Sequence, residues 1–207
     1  MTSLFFDLDG TIVNSQVRQY KLFREMVNDS DLTYDNYWNI KRKNIDQKSF
    51  LKKYYNYSDR ECADFRKKWC DNIEDINRIL RYDYLVPGID ILLRTLFKDY
   101  KVYLVTNRLN KENVNKELEY LNIKNIFSKI FVTEHNKKKA DIIQANIKYG
   151  FSDIIIGDSV DDILTANILG LQSIIVCWGI CDKNTIIKKY PDFIFETVDE
   201  LRKFFYD

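Results

Sequence analysis

Six short, unbroken apolar runs with helical patterns between most of them constrain this 207-residue chain more than any other feature of its sequence. Strands covered on both faces show unbroken runs of this kind, whereas half-exposed strands alternate between apolar and polar residues. The alternation of strand and helix from about residue 86 onward therefore predicts an open α/β sheet with right-handed crossovers. The predicted strands are residues 4–6, 101–106, 130–132, 154–156, 173–177 and 193–195.

Four helices are predicted between these strands, and a last helix follows the final strand. The four lie at residues 89–97, 110–121, 138–149 and 161–169. Gly150 and Gly170 follow the last two of them, at the position where a helix C-cap glycine is expected.

Residues 15–83 have a different character from the rest of the chain. They are rich in Tyr, Lys, Asn and Asp, contain no strand-like apolar run, and are followed by Pro87-Gly88. The first strand is thus separated from its sheet by about seventy residues, which an inserted helical domain explains better than one long crossover. We therefore predict a core formed by residues 1–14 and 84–207, with a helical insertion at 15–83.

Composition narrows the classes of partner. The 32 Lys and Arg residues nearly balance the 31 Asp and Glu residues, so a formal net charge of +1 does not point to nucleic acid or a membrane surface. The four cysteines form no CxxC pair and the single histidine lies far from them, which makes a zinc site improbable and reduced thiols the expected state. With no apolar stretch of roughly 20 residues, we expect a soluble, cytoplasmic protein.

Two aspartates follow the first predicted strand directly, in the stretch FFDLDGT. Asp7 and Asp9 flank Leu8, so their carboxylates can converge on one face of an extended chain. Ligands of open α/β sheets bind at the carboxyl ends of the strands, and like charges this close favour a cation or a shared proton between them. An ordinary Asp-Gly turn is the alternative interpretation.

Polar residues also follow three later predicted elements. Thr106 ends a strand and precedes Asn107, where a hydroxyl and backbone N–H groups can hold phosphate oxygens. A β-branched strand end that leads into an Asn helix start is the alternative interpretation. Three lysines at 137–139 begin a helix, where cations interact unfavourably with the helix macrodipole. They indicate either that the function requires an ammonium group here or that the lysines form a solvated charge run. Three aspartates in GDSVDD (157–162) exceed what a helix start requires and favour a cation.

Taken in order, DxDGT, the strand-ending threonine, the lysine and GDxxxD resemble the four motifs of the haloacid dehalogenase-like (HAD) hydrolase superfamily. The resemblance covers essentially the whole chain. The tail segments GLQSIIVCWG and PDFIFETVDELRKFF are similar to the phosphoglycolate-phosphatase-like branch, and the helical insertion resembles a C1 cap. The resemblance implies a Rossmann-like parallel sheet with an inserted α-helical cap domain.

The resemblance also implies roles for individual residues. Asp7 would be the nucleophile that takes the phosphoryl group as an aspartyl-phosphate, and Asp9 the general acid/base. Thr106 and Asn107 would bind the phosphoryl oxygens, and a lysine would neutralise the nucleophile and the phosphate. This chemistry suits phosphoryl transfer, which mainly requires alignment and neutralisation of oxygen charge.

The implied cofactor is Mg²⁺, a cation that prefers a few carboxylates and water to a closed protein cage. Asp7, the backbone carbonyl of Asp9 and Asp158 would bind it, with Asp162 supporting it directly or through water. The function that follows is a Mg²⁺-dependent phosphomonoesterase acting on a small phosphorylated metabolite. A phosphomutase with the same residues and a non-catalytic ligand-binding member are the alternatives.

The third motif departs from the pattern of many relatives, in which proline follows the lysine. None of Lys137, Lys138 and Lys139 precedes a proline. Lys139 is preferred because it lies four residues before Ile143 of the predicted helix, and Lys137 is the alternative on a longer spacing.

Substrate specificity is expected to lie in the cap, which would close over the site and exclude water. Lys41, Arg42 and Lys43 lie midway through it. One of them is a candidate for contact with a second anionic group of the substrate, and a solvated helix face is the competing interpretation.

Overall fold

The structure is a computed structural model that describes residues 1–43 and 45–206. Its strands in chain order are β1 (Ser3–Phe6), β2 (Val13–Asn14), β3 (Tyr84–Leu85), β4 (Lys101–Thr106), β5 (Lys129–Val132), β6 (Ile154–Gly157), β7 (Gln172–Val176) and β8 (Phe193–Phe195). Six of them form one sheet in the order β5-β4-β1-β6-β7-β8, and every neighbouring pair is parallel. The predicted parallel α/β sheet is confirmed.

Eleven α-helices lie within the described residues. They are α1 (Gln16–Val27), α2 (Tyr34–Lys41), α3 (Gln47–Tyr55), α4 (Asp59–Ile73), α5 (Ile76–Tyr82), α6 (Ile89–Asp99), α7 (Lys111–Tyr120), α8 (Lys139–Asn146), α9 (Val160–Leu169), α10 (Lys183–Ile187) and α11 (Val198–Tyr206). A single 3₁₀ turn, Lys124–Ile126, precedes β5.

The central strands are apolar without a break because both faces of the sheet are covered. In β1, Leu4 and Phe6 join a core cluster with α6, α7 and α11, whereas Phe5 joins a second cluster with α8 and α9. The period-two alternation of a strand is therefore present, but it divides two apolar faces instead of an apolar and a polar one.

One predicted helix end is wrong. α8 ends at Asn146 rather than Tyr149, and its C-cap residue is Ile147 in an extended conformation, with φ at −131°. Gly150 belongs instead to the turn before β6, where its N–H donates to Asp153 Oδ2 at 3.1 Å and its carbonyl accepts from Asp153 N at 2.9 Å. Gly170 does cap α9 as predicted, with a φ of +65°.

The predicted cap, residues 15–83, contains helices α1 to α5, and among its described residues no strand is found. The antiparallel pair β2–β3 lies where the chain leaves the sheet and returns to it, with Val13 opposite Leu85. Inside the five helices an aromatic cluster packs around Phe23, whose ring lies 4.8 Å from that of Phe50 and 5.0 Å from that of Tyr37. The cap boundaries stay a prediction.

Two further findings concern the described residues as a whole. Their helices include none with the length and apolar content needed to span a bilayer. All four cysteine thiols are free, and those of Cys62 and Cys181 are buried.

Candidate active site

Three neighbouring strands bring the predicted site residues to one edge of the sheet. Asp7 follows β1, and its N–H donates to the carbonyl of Ile156 in β6 at 2.8 Å. Thr106 is the last residue of β4, which pairs with β1 on its other side, and it is buried. Asp158 follows the last residue of β6 and is also buried. Parallel strands in adjacent positions therefore bring together residues that lie up to about 150 positions apart in sequence.

Lys139 is the lysine that reaches this edge. Its ammonium lies 2.9 Å from Asp7 Oδ1 and 2.6 Å from Asp162 Oδ1, and only 3% of its side chain is exposed. Burial alone would lower the pKa of Lys139, but the charges of Asp162 and Asp7 outweigh it and raise the pKa above its ordinary range. Lys137 and Lys138 are exposed. The geometry therefore favours Lys139 over the alternative at position 137.

Asp162 is held rigidly at the start of α9. Its Oδ2 accepts from the backbone N–H of Ser159 at 3.1 Å and from the Ser159 hydroxyl at 2.6 Å, while Oδ1 accepts from Lys139. The capping box that places Asp162 in the third helical position thus also orients it toward the site.

Three carboxylates converge beside this lysine. Asp7, Asp158 and Asp162 each offer an oxygen within 4.8 Å of the others. Burial raises the pKa of Asp7 to about 7. The positive charge of Lys139 opposes this rise, and the negative charge of Asp162 adds to it. Burial and the charges of Asp7 and Asp162 raise the pKa of Asp158 well above its usual range. One ammonium does not balance three buried carboxylates, so this donor set fits a divalent cation that prefers oxygen ligands.

Asp158 is positioned by backbone that approaches it closely. Its Oδ2 accepts from Ile180 N–H at 2.5 Å, and its Oδ1 accepts from the Thr11 hydroxyl at 3.4 Å. A Cβ atom added to Gly10 or Gly179 would come closer than 3.0 Å to the Asp158 side chain. The sequence reasoning identified Asp158 but not Gly179, which lies in the tail segment GLQSIIVCWG and touches the site only through the fold.

Gly179→Ala is expected to weaken divalent-cation binding about 10- to 100-fold, because the new methyl group would displace Asp158. Gly150→Ala is the matched control, since a Cβ at that position meets no atom within 4 Å. Isothermal titration with Mg²⁺ on the two variants measures the difference. Equal affinities would contradict the role of Gly179.

Asp158→Asn is expected to raise the melting temperature of the metal-free protein at about pH 7.5. An acid whose folded pKa is raised contributes stability at low pH, which is lost as the pH rises above its unfolded pKa of about 4. The neutral amide avoids this loss, and it can still accept from Ile180 N–H while donating to the Thr11 hydroxyl.

Thermal unfolding in EDTA and in Mg²⁺ tests this expectation, with the exposed Asp141→Asn as control. The advantage of Asp158→Asn in EDTA should shrink toward about pH 5, and Mg²⁺ should stabilise the wild type but not this variant. A variant that melts below the wild type in EDTA at the higher pH would contradict the assigned pKa shift.

The carboxylate of Asp9 pairs with two arginines. Arg108 Nη2 donates to its Oδ1 at 2.8 Å, Arg108 Nε donates to its Oδ2, and Arg18 Nη2 donates to Oδ1 at 2.7 Å. Burial pushes the pKa of Asp9 upward, but Arg108 and Arg18 outweigh it and hold the pKa below its usual range. The sequence assigned no role to either arginine, because one is 9 and the other 99 residues away.

Asn107 links three loops of the site. Its amide oxygen accepts from the Thr133 hydroxyl at 3.1 Å, and its amide nitrogen donates to Asp161 Oδ2 at 2.9 Å. The side chain thus joins the segments that follow β4 and β5 to the start of α9. The predicted contact of Asn107 with substrate stays a prediction.

A cavity of about 510 Å³ lies between the helices of the predicted cap and His135, in the segment between β5 and α8. Lys41 lines it and donates to the carbonyl of Ile45 at 3.2 Å, and burial lowers its pKa. Arg42 donates to Gln16 Oε1 at 3.3 Å, and Lys43 is exposed. Lys41 therefore lines this cavity, whose lining includes none of Asp7, Asp9, Thr106, Lys139 and Asp158.

Comparison with known proteins agrees with this geometry. A family profile described as haloacid dehalogenase-like hydrolase matches residues 4–176. A haloacid dehalogenase-like hydrolase from Streptococcus pneumoniae superposes with a TM-score of 0.81 at 23% identity, covering 99% of this chain and 98% of the other. A protein described as a predicted phosphatase from Clostridium acetobutylicum superposes with a TM-score of 0.75 at 25% identity, covering 99% and 97%.

One curated relative is a phosphoglycolate phosphatase from Synechococcus elongatus. It is 24% identical to this chain over 121 residues, which are 56% of this chain. The match spans 57% of the length of the relative.

Proposed function

The chain belongs to the haloacid dehalogenase-like hydrolases, and from this we propose that it is a Mg²⁺-dependent phosphatase acting through an aspartyl-phosphate on Asp7. One observation carries the proposal: the Lys139 ammonium bridges Asp7 and Asp162 beside Asp158. These contacts support the proposal because Asp7, as the nucleophile, would lie next to a cation and next to a donor set for a metal ion. Phosphoryl transfer requires this combination of alignment and charge neutralisation.

In the first step, a carboxylate oxygen of Asp7 attacks the phosphorus atom of the substrate. The bond from phosphorus to the ester oxygen breaks, and its electron pair stays on that oxygen. Asp9 takes up a proton against the charges of Arg108 and Arg18, which hold its pKa below the usual range, and donates that proton to the leaving oxygen, which departs as an alcohol. Thr106 and Lys139 hold the phosphoryl oxygens during this transfer.

In the second step, the carboxylate of Asp9 takes a proton from water, and the water oxygen attacks the phosphorus atom of the aspartyl-phosphate. The bond between phosphorus and Asp7 breaks, which releases inorganic phosphate and restores both aspartates. Dividing the hydrolysis in this way replaces one difficult displacement by two easier ones.

Asp7, Asp158 and the backbone carbonyl of Asp9 would hold Mg²⁺, with Asp162 in support. When bound, the ion supplies charge neutralisation for the phosphoryl oxygens and for the nucleophile. The surplus of buried carboxylate over ammonium supports this assignment.

The proposed substrate is a small phosphorylated metabolite. The curated relative named phosphoglycolate phosphatase supports this class. We propose a cytoplasmic location, which the free thiols of the described cysteines support.

The test is phosphate release from a panel of phosphomonoesters with Mg²⁺ and with EDTA. We expect turnover that requires Mg²⁺, together with phosphate covalently attached to the peptide containing Asp7 after an acid quench. Isomerised substrate without free phosphate would indicate a phosphomutase instead. A folded protein that neither releases nor transfers phosphate would contradict both and leave the non-catalytic alternative.

A further inference from the structure

The carboxylate of Asp9 is held by both of its oxygens. Arg108 approaches it with two nitrogens, Nε toward Oδ2 and Nη2 toward Oδ1, and Arg18 adds a third bond from Nη2 to Oδ1. Only 4% of the Arg108 side chain and 3% of the Arg18 side chain are exposed. Forked contacts of this kind restrict the orientation of a carboxylate as well as its place.

Each arginine is itself fixed by further partners. Arg18 donates from Nε to both oxygens of Asp83, at 3.0 and 2.9 Å, and from Nη1 to the carbonyl of Ile73 at 2.7 Å. Arg108 Nη2 lies 3.3 Å from Asp83 Oδ2 and 3.2 Å from Glu117 Oε2. The guanidinium groups therefore have little freedom to follow a movement of Asp9.

This network has one accessible end. The side chain of Asp9 is 21% exposed, whereas those of Arg18, Arg108, Asp83 and Glu117 are at most 4% exposed. Buried ion networks seldom stabilise a fold more than apolar packing of the same volume would. A purely structural role therefore leaves unexplained why the network ends on a carboxylate that is partly exposed, two residues after Asp7.

Two members of the network lie at the two junctions between the core and the predicted cap, and two lie in the core. Arg18 lies in α1, just after β2, and Asp83 immediately precedes β3. Arg108 follows β4, and Glu117 lies in α7. The two chain crossings and the loop after β4 are thus joined through Arg18 and Arg108.

We propose that Arg108 and Arg18 are positioning residues that orient the carboxylate of Asp9 for proton transfer, an inference that rests on the proposed function. Neither arginine needs to touch the substrate for this role. The forked guanidinium is required because a lysine at the same position carries the charge on one ammonium nitrogen and lacks the rigid, planar pair of nitrogens that fixes the orientation of a carboxylate.

The test uses Arg108→Lys, which keeps the buried cation and removes the fork to Asp9, and Arg18→Lys, which keeps the cation and removes the single Nη2 bond to Asp9. Arg78→Lys is the matched control, since Arg78 also forms a two-bond pair, at 2.9 and 3.2 Å with Glu25, far from Asp9. For each protein kcat/KM is measured with an alkyl phosphate and with p-nitrophenyl phosphate, whose leaving group hardly needs a proton.

We expect kcat/KM for the alkyl ester to fall about 10- to 100-fold in both site variants. The fall for p-nitrophenyl phosphate should be less than about threefold, and Arg78→Lys should change neither value. A merely structural loss would lower kcat/KM for both esters alike. If the ratio of the two kcat/KM values is the same in the wild type and in both site variants, the proposal is overturned. A gain with the alkyl ester overturns it too, since the arginines would then hold Asp9 away from the substrate.

A double-mutant cycle with Asp9→Asn gives a second readout on the alkyl phosphate, for which Arg108→Lys alone is expected to cost about 10- to 100-fold. If Arg108 acts through Asp9, adding Arg108→Lys to Asp9→Asn should cost almost nothing further. Additive losses would show that Arg108 binds the substrate directly and overturn its positioning role. A wild type without turnover on either ester contradicts the proposed function itself, an outcome distinct from an active wild type with an unchanged ester ratio.

Discussion

Asp7→Asn is expected to abolish phosphate release, lowering kcat by about 10⁴-fold or more, because an amide cannot form the aspartyl-phosphate. The fold should survive the change. Burial raises the pKa of Asp7 to about 7, so a neutral side chain at this position suits the metal-free environment, and Lys139 keeps Asp162 as its partner. The loss is therefore expected to be chemical rather than structural.

Steady-state phosphate release and the melting temperature, measured on the same protein samples, separate these two causes. Asp141→Asn is the matched control, because it removes an exposed carboxylate from α8 beside the site and should leave the rate unchanged. In an acid-quenched single turnover, phosphate should appear on the Asp7 peptide of the wild type and not on that of Asp7→Asn. A folded Asp7→Asn protein that retains even about a tenth of the rate would refute the assignment of the nucleophile.

Lys139→Ala is expected to lower kcat/KM by about 10²- to 10³-fold, a loss typical of removing a preorganised group that stabilises transition-state charge. It should also destabilise the metal-free protein by about 3–5 kcal/mol, since the ion pairs with Asp7 and Asp162 are buried. Mg²⁺ should restore part of that stability, because it supplies positive charge to the same carboxylates.

Lys137→Ala and Lys138→Ala are the matched controls, and each removes an exposed ammonium from the same segment. The three variants are compared by kcat/KM and by thermal unfolding with and without Mg²⁺. Addition of a small alkylammonium salt should restore part of the activity of Lys139→Ala if the missing charge is the cause. A loss in Lys137→Ala that exceeds the loss in Lys139→Ala would instead support the longer motif spacing.

Local patterns in the sequence were sufficient to predict most of the framework of the site. Strands buried on both faces appear as unbroken apolar runs, so β1, β4 and β6 could be placed to within about a residue of their ends. Polar residues directly after such runs fall at the carboxyl edge of a parallel sheet, which is why Asp7, Thr106 and Asp158 were identified. The end of α8 was misplaced because Gly150 serves a turn there, and glycine suits a turn as well as a helix cap.

The sequence alone determined the class of sheet and the carboxylates at its edge, because both follow from periods of two to four residues along the chain. The tertiary packing was needed to identify the lysine that joins them, since Lys139 is buried against Asp7 whereas Lys137 is exposed. It also decided that Arg18, Arg108 and Gly179 belong to the site. Arg18 and Arg108 lie 9 and 99 residues from Asp9 in sequence, and Gly179 approaches Asp158 from a separate loop. Such contacts depend on how the strands and helices pack.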